Sequence, residues 1–225
     1  MISLDNLKVS IVGEVGEVPQ TPLEGEMVTG SIKSHRARIV FSRQALLSGV
    51  VSLNDLPKLL IDAGFRNEAE SVYSMLESNP ALPDRLPLFD EDNTAHGSSL
   101  VDLSAALTVF RNQKTTANSS EYTCLEPRYF VVPPSQEIPA YKELFSCGLT
   151  DKIEILSTAF VTNSFLMANP EQWPVLIRLA LTENPHIETK PAGFDSDDGI
   201  AVDLFNDFEI LPCSRLGIVK LVTPA

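Results

Sequence analysis

A stripe of apolar residues at helical spacing, with proline near each end, limits what this chain can fold into more than any other feature. Ile61, Phe65, Ala69, Val72 and Leu76 follow one another at steps of four, four, three and four, which puts them on one face of an α-helix. Ser52, Asn54 or Asp55 can cap its start; Pro57 suits a first turn whose N–H has no partner in any case. Asp62, Arg66, Asn67, Glu70 and Ser74 lie mostly off the stripe. Pro80 and Pro83 end the helix near Ser78-Asn79, because proline lacks the donor and its ring clashes with the preceding turn. About 23 residues at roughly 1.5 Å each make a rod on the order of 35 Å. In a chain of 225 residues that rod is a main structural axis.

The segments around it read as strands, turns and shorter helices. Lys8 to Val12 is β-rich, with Leu7, Val9 and Ile11 on one face, and Gly13, Gly16, Pro19, Pro22 and Gly25 then break the chain. Met27 to Phe41 is extended again and carries Lys33, His35, Arg36 and Arg38. Together these predict a long hairpin, an arm too thin to be stable alone. It rests either on its own domain or across a neighbouring subunit. Pro80 to Ser99 is expected as loop, Ser99 to Lys114 as a second helix, and Arg128 to Val132 as a buried strand closed by Pro133-Pro134. Ser135 is expected to cap a short helix through Ser146. Further strands are expected at Ile153–Leu156, Ser164–Ala168, Val175–Leu181, His186–Lys190, Ile200–Phe205 and Leu216–Val222. The longest helices come first and most strands last, which indicates an α+β fold rather than a doubly wound parallel sheet.

No stretch spells out a catalytic site. HExxH, GxSxG, GxGxxG and Walker A patterns are absent, and His35, His96 and His186 are scattered. Cys124, Cys147 and Cys213 have no CxxC spacing, so neither zinc nor a redox pair is signalled. They read as buried, inert thiols in a reducing compartment. Asp90-Glu91-Asp92-Asn93 resembles the start of a calcium loop, but Ala95 stands where glycine is required; a solvated loop remains. Asp195, Asp197 and Asp198 beside Gly193 and Gly199 are the residue types a tight turn demands, although carboxylates on a turn can also hold a hard cation. Trp173, between Pro170 and Pro174, reads as a packing anchor. No cofactor and no metal is expected, and the chain does not read as an enzyme.

Charge and hydropathy narrow the partners. Against 17 Lys and Arg stand 30 Asp and Glu, a net charge of −13. That excludes a sequence-independent nucleic-acid binder and attraction to an anionic membrane. From Glu183 to Glu209 eight acids stand against one base, Lys190. No apolar run approaches the roughly 18 residues of a membrane span, and Met1-Ile2-Ser3-Leu4-Asp5 is unlike a signal peptide. A soluble protein that stays where it is made is expected.

Several blocks, in order, resemble the major head (capsid) subunit of Mu-like tailed phages and prophages. Arg38-Ile39-Val40-Phe41-Ser42-Arg43-Gln44-Ala45-Leu46-Leu47 looks like the family's strand followed by "SRQAL". Ser71-Val72-Tyr73-Ser74-Met75-Leu76, Asn79-Pro80-Ala81-Leu82 and Pro87-Leu88-Phe89 continue the likeness. Leu103-Ser104-Ala105-Ala106 with Arg111-Asn112-Gln113-Lys114, and then Pro127-Arg128-Tyr129-Phe130-Val131-Val132-Pro133-Pro134, are similar to the family's helix and its "PRYLLVPP". Gly193-Phe194-Asp195 and Asp203 to Gly217 resemble the closing strands. Two departures stand out. Ser48-Gly49-Val50-Val51-Ser52 replaces the usual "NDD", and the sequence starts almost at the arm, so the family's N-terminal arm is expected to be absent, removed or outside this sequence.

The resemblance implies the Hong Kong-type tailed-phage capsid fold. Residues 1–41 would form a short N-terminus and the E-loop, 42–127 the P-domain with its spine helix at about 54–78, 128–205 the A-domain, and 206–225 the return to the P-domain. It further implies that the arm lies on the adjacent subunit and that copies assemble as pentamers and hexamers into an icosahedral shell around double-stranded DNA. The shell would be built in the bacterial host cytoplasm, with portal, scaffold or protease, and decoration proteins as further partners and no specific DNA or membrane contact. Lys33, Arg36 and Arg38 are candidate inter-subunit contacts, with Asp195, Asp197 and Asp198 among the acids they would meet; reversing Arg36 and Arg38 to glutamate is expected to impair assembly. The alternatives are an encapsulin-like compartment shell, which shares the fold, and a small-oligomer binding or enzyme domain using the Asp195–Asp198 loop.

Overall fold

A computed structural model of the chain describes residues 2–3, 24–25, 30–42, 44, 56–114, 122–191 and 199–223. The elements are β1 (Ile2–Ser3), β2 (Glu24–Gly25), β3 (Lys33–Ser42), α1 (Leu56–Ser78), β4 (Thr94–His96), α2 (Leu103–Arg111), β5 (Pro127–Val132), α3 (Glu137–Ser146), β6 (Glu154–Ser157), β7 (Ser164–Ala168), β8 (Leu176–Ala180), β9 (His186–Pro191), β10 (Gly199–Pro212) and β11 (Ile218–Val222). They group into two compact units. One comprises Gly30–Leu76 and Ile177–Leu211; the other is built mainly from Glu77–Leu176 and Pro212–Ala225. The boundaries expected at 127/128 and 205/206 do not coincide with these breaks. Of the expected arm, β1 and β2 pair antiparallel, while most of its first half lies outside the described residues.

The first unit packs α1 on a sheet. β3 runs antiparallel to β10 from Lys33↔Phe208 to Ser42↔Gly199, β9 pairs with β10 from Ile200↔Pro191 to Phe205↔His186, and β8 also neighbours β10. The two-residue period sends Ile39 and Phe41 of β3, Ile187 of β9, and Ile200, Val202 and Leu204 of β10 to one face, where they pack with Leu60 of α1. On the same face His35 stacks on Phe208, ring centroids 4.4 Å apart. The helix spans 23 residues, as expected, and Leu76 of the expected stripe is buried, but Leu60 and Gly64, off that stripe, meet the sheet. Phe65, placed on the stripe by periodicity, is 45% exposed, while Leu60 is 4% exposed and Gly64 is buried. The reason is steric. A Cβ on Gly64 would lie 2.9 Å from Pro185 Cγ and 3.6 Å from Leu204 Cδ2, so only glycine lets the helix come this close. Asn206 Nδ2 donates to the Gly64 carbonyl at 3.3 Å, and Glu68 accepts both Arg178 Nε (3.1 Å) and Nη2 (2.8 Å).

The second unit is a five-stranded sheet in the order β4-β11-β7-β5-β6, mixed parallel and antiparallel. Its central strands are apolar on both sides, as strands covered on two faces must be. One side carries Phe130, Val132, Leu166, Ala168, Val219 and Leu221, packed with Leu103, Ala106 and Phe110 of α2 and Ala140 and Leu144 of α3. On the other, Phe165 meets Phe89 at 5.5 Å. The Pro80–Ser99 stretch is therefore not wholly solvated. Leu88 and Phe89 are buried, and so is Asn93, whose Nδ2 donates to the Leu88 carbonyl (2.7 Å) and whose Oδ1 accepts the Asp90 N–H (2.8 Å). Trp173 packs against the core as anticipated, with Nε1 donating to Ser214 Oγ at 3.1 Å. The thiols differ from expectation: Cys213 is buried, but Cys124 and Cys147 are exposed. Cys124 sits at positive φ (52°) ahead of β5, and Cys147 caps the C-terminus of α3.

Both shorter helices start later than anticipated. α2 starts at Leu103 because Asp102 is its N-cap, accepting Ala105 N–H at 3.1 Å and Ser98 N–H and Oγ–H at 2.9 and 3.0 Å. The Ser98 and Ala105 N–H groups hold the Asp102 carboxyl below its ordinary range. Its contribution is present above the unfolded carboxylate pKa and lost as pH falls through the lowered folded value. Asp102→Ala should cost about 1–2 kcal/mol, read as a lowered Tm at pH 7 that shrinks in acid. α3 starts at Glu137 after a 3₁₀ turn over Pro134–Gln136, and no side chain caps either, Ser135 included.

Candidate functional site

Two of the expected contact residues, Arg36 and Arg38, lie on the face of the first unit's sheet opposite α1, while Lys33, paired with Phe208, falls by alternation on the α1 side. Val40 shares the face of Arg36 and Arg38, and the register sets Arg38 against Asp203 and Glu188, and Arg36 against Phe205 and His186. Arg36, Ala37, Arg38, Lys190, Asp203, Leu204 and Phe205 line a shallow depression of about 390 Å³.

Arg38 makes a two-pronged pair with Asp203, Nε to Oδ1 at 2.5 Å and Nη2 to Oδ2 at 2.8 Å. Such fork-to-carboxylate geometry is the strongest ion-pair arrangement side chains form. Hydrogen bonding to Arg38 holds the Asp203 carboxyl below its usual range, and Asp203 in turn raises the guanidinium pKa. Lys190 pairs with Glu188, whose pKa it depresses. Lys33 Nζ reaches Glu209 Oε1 at 3.1 Å. Arg36 and Lys190 lie over the Phe205 ring, 5.0 and 5.4 Å from its centroid, at cation–π range. The acids expected on a neighbouring subunit thus include two on the same chain, Asp203 and Glu209. Asp195, Asp197 and Asp198 lie outside the described residues. Arg36 alone of the three cations has no acid within ion-pair distance among the described residues.

Sequence reasoning missed Phe205 as the ring that gathers two cations, and Asp203 as the partner of Arg38. The cross-strand register would have supplied both, but register is not written in composition. The face holds charge and an aromatic plate without an enclosed cavity, and it suits protein contact. Arg38→Ala leaves the buried Asp203 carboxylate without its cation. Asp203 stabilises the fold above its unfolded pKa and ceases to as pH falls through the lowered folded value; without Arg38 that folded value rises. The acid-unfolding midpoint of the variant, followed by circular dichroism, should therefore lie at higher pH than that of the parent.

Comparison with known proteins gives this geometry a context. A family model for phage capsid protein matches residues 26–221. No curated protein matches the sequence. Among solved structures, the capsid of Ralstonia phage GP4 aligns with a TM-score of 0.61 at 11% identity, covering 84% of this chain and 72% of that one. The mature capsid of bacteriophage PhiM1 aligns at 0.59 and 9% identity, covering 99% and 81%. The SrpI encapsulin of Synechococcus elongatus PCC 7942 aligns at 0.57 and 12% identity, covering 84% and 73%. At such identities the structures carry the fold, the Hong Kong-type capsid fold expected from the resemblance. The family match runs from within the arm to β11, across both compact units, and by it the chain belongs to the phage capsid protein family.

Proposed function

We propose that this chain is the major head subunit of a tailed phage or prophage, of the Mu-like kind, and that its copies close into an icosahedral shell around double-stranded DNA. The observation that carries the reading is the family match over residues 26–221. In these terms residues up to 41 supply the E-loop, 42–127 the P-domain with α1 as its spine helix, 128–205 the A-domain and 206–225 the return to the P-domain. Pentamers and hexamers, assembled in the host cytoplasm and joined by portal, scaffold or protease, and decoration proteins, follow from the same reading. The subunit acts as a structural element rather than an enzyme. A net charge of −13 per copy suits a wall that holds DNA without binding its phosphates.

Purified protein should form particles of megadalton size with round profiles in negative-stain microscopy. A stable 24.6 kDa monomer at high concentration would overturn the reading. The similarity to an encapsulin supports a second reading, a compartment shell. Shell contents separate the two, since long double-stranded DNA supports the phage head and a packaged enzyme supports the compartment. Arg36 is the cation on the sheet face to reverse when testing subunit contact, because Arg38→Glu would set two carboxylates against each other inside one chain. Arg36→Glu should lower shell yield while leaving the subunit folded.

A further inference from the structure

Helix α3 buries one face and leaves a second apolar face to water. Ala140 and Leu144 are 0% and 1% exposed and join the core of the five-stranded unit. Ile138, Tyr141 and Phe145 are 69%, 52% and 78% exposed. Their spacing of three and four places them in one stripe, and at 100° per residue that stripe is turned well away from Ala140 and Leu144. Three large side chains, two of them aromatic, aligned on an exposed helix face make the kind of patch that marks an interaction surface rather than ordinary monomer surface.

The flanks of the stripe differ in sign. By the same rotation Lys142 stands along one edge and Glu137 along the other. Two such helices side by side in the same orientation therefore set the lysine edge of one against the glutamate edge of the next. That arrangement is head-to-tail, and repeated by rotation it closes a ring. Copies that each carry −13 repel, so a ring needs contact surfaces that bury apolar area and bring opposite charges together; this face does both.

We propose that the Ile138–Tyr141–Phe145 stripe is a self-contact surface, packed against α3 of the next copy around a ring, with Lys142 of one copy facing Glu137 of the other. The proposal rests on the capsid reading above. Phe145→Glu, at a position 78% exposed, should reduce the assembled fraction about tenfold or more by analytical ultracentrifugation, with an unchanged circular dichroism spectrum. Lys142→Glu and Glu137→Lys should each weaken assembly, and the double exchange should restore it.

If the parent protein assembles and Phe145→Glu assembles equally well, the stripe is not a contact between copies and the proposal is overturned. It is also overturned if the double exchange assembles no better than either single variant. If the parent itself never assembles, the capsid reading fails first.

Discussion

Gly64→Leu should unfold the unit built on α1, and even Gly64→Ala should destabilise it. Alanine at an exposed helix position would gain about 1 kcal/mol over glycine. Here its Cβ would lie 2.9 Å from Pro185 Cγ and 3.0 Å from Pro185 Cβ, and neither atom is the free end of a flexible chain. Overpacking of this kind costs about 1–3 kcal/mol, so the steric term wins and the net loss is on the order of 1 kcal/mol. Leucine adds three more carbons to the same gap. It must push α1 off the sheet, separate Leu60 from Val202 and Leu204, and break the Asn206–Gly64 hydrogen bond. A loss of about 3 kcal/mol or more is expected, measured by urea unfolding, with insoluble expression as the extreme form. An alanine variant as stable as the parent would show that the helix does not approach so closely.

Glu77→Ala should be nearly as damaging to the other unit. The carboxylate sits in the last turn of α1, where the helix dipole disfavours a negative charge. It is held there by bonds from outside the helix. Oε1 accepts Thr162 N–H at 2.6 Å, Thr162 Oγ–H at 3.0 Å and Asn163 N–H at 2.8 Å, and Oε2 accepts Asn163 Nδ2 at 2.7 Å. Lys220 Nζ lies 3.7 Å from Oε2. Burial alone would raise this pKa; the donors on Asn163 and Thr162 outweigh burial and hold it below the ordinary value. Hydrogen bonds to a charged group are worth about 1.5–3 kcal/mol each and are not additive. A total near 3 kcal/mol is a reasonable expectation, or a fall in Tm of about 6–12 °C for a chain of this length. The sign with pH follows from the lowered folded pKa. The stabilisation is fully present above the unfolded glutamate value of about 4.3 and is lost as pH falls through the folded value. The difference between parent and Glu77→Ala should therefore be widest at neutral pH and should narrow in acid.

The long helix was legible in the sequence because its limits are local chemistry. Pro57 and Pro80 bracket it, and Asn79 ends it in the left-handed region (φ 49°), with its side chain bonded to the Phe89 backbone. The face it turns to the sheet was not legible, because periodicity counts apolar side chains and Gly64 has none. Ser164–Ala168 was placed without error, and the other late strands to within a few residues at most ends, since alternation and proline are short-range signals. β10 runs well beyond the expected Phe205, to Pro212; part of that length comes from its ladder with β3, a strand far away in sequence, which continues to Phe208. β4 was missed, being three residues that gain a ladder only beside β11. At the sheet face the basic residues stood out as a cluster, but which acid each would meet depended on register between strands some 165 positions apart.

The interleaving of the two units bears on how the chain is made. Gly30–Leu76 must wait for Ile177–Leu211 before its sheet can close, with all of Glu77–Leu176 synthesised in between. At about 5–20 residues per second that delay is on the order of 10 s. During it β3 has no β10 to pair with and Leu60 has no apolar face to cover it, so the nascent chain carries an open strand and an uncovered helix while its middle segment is still emerging from the ribosome. Slower translation across that segment should raise the demand for chaperones without changing a single contact of the finished subunit.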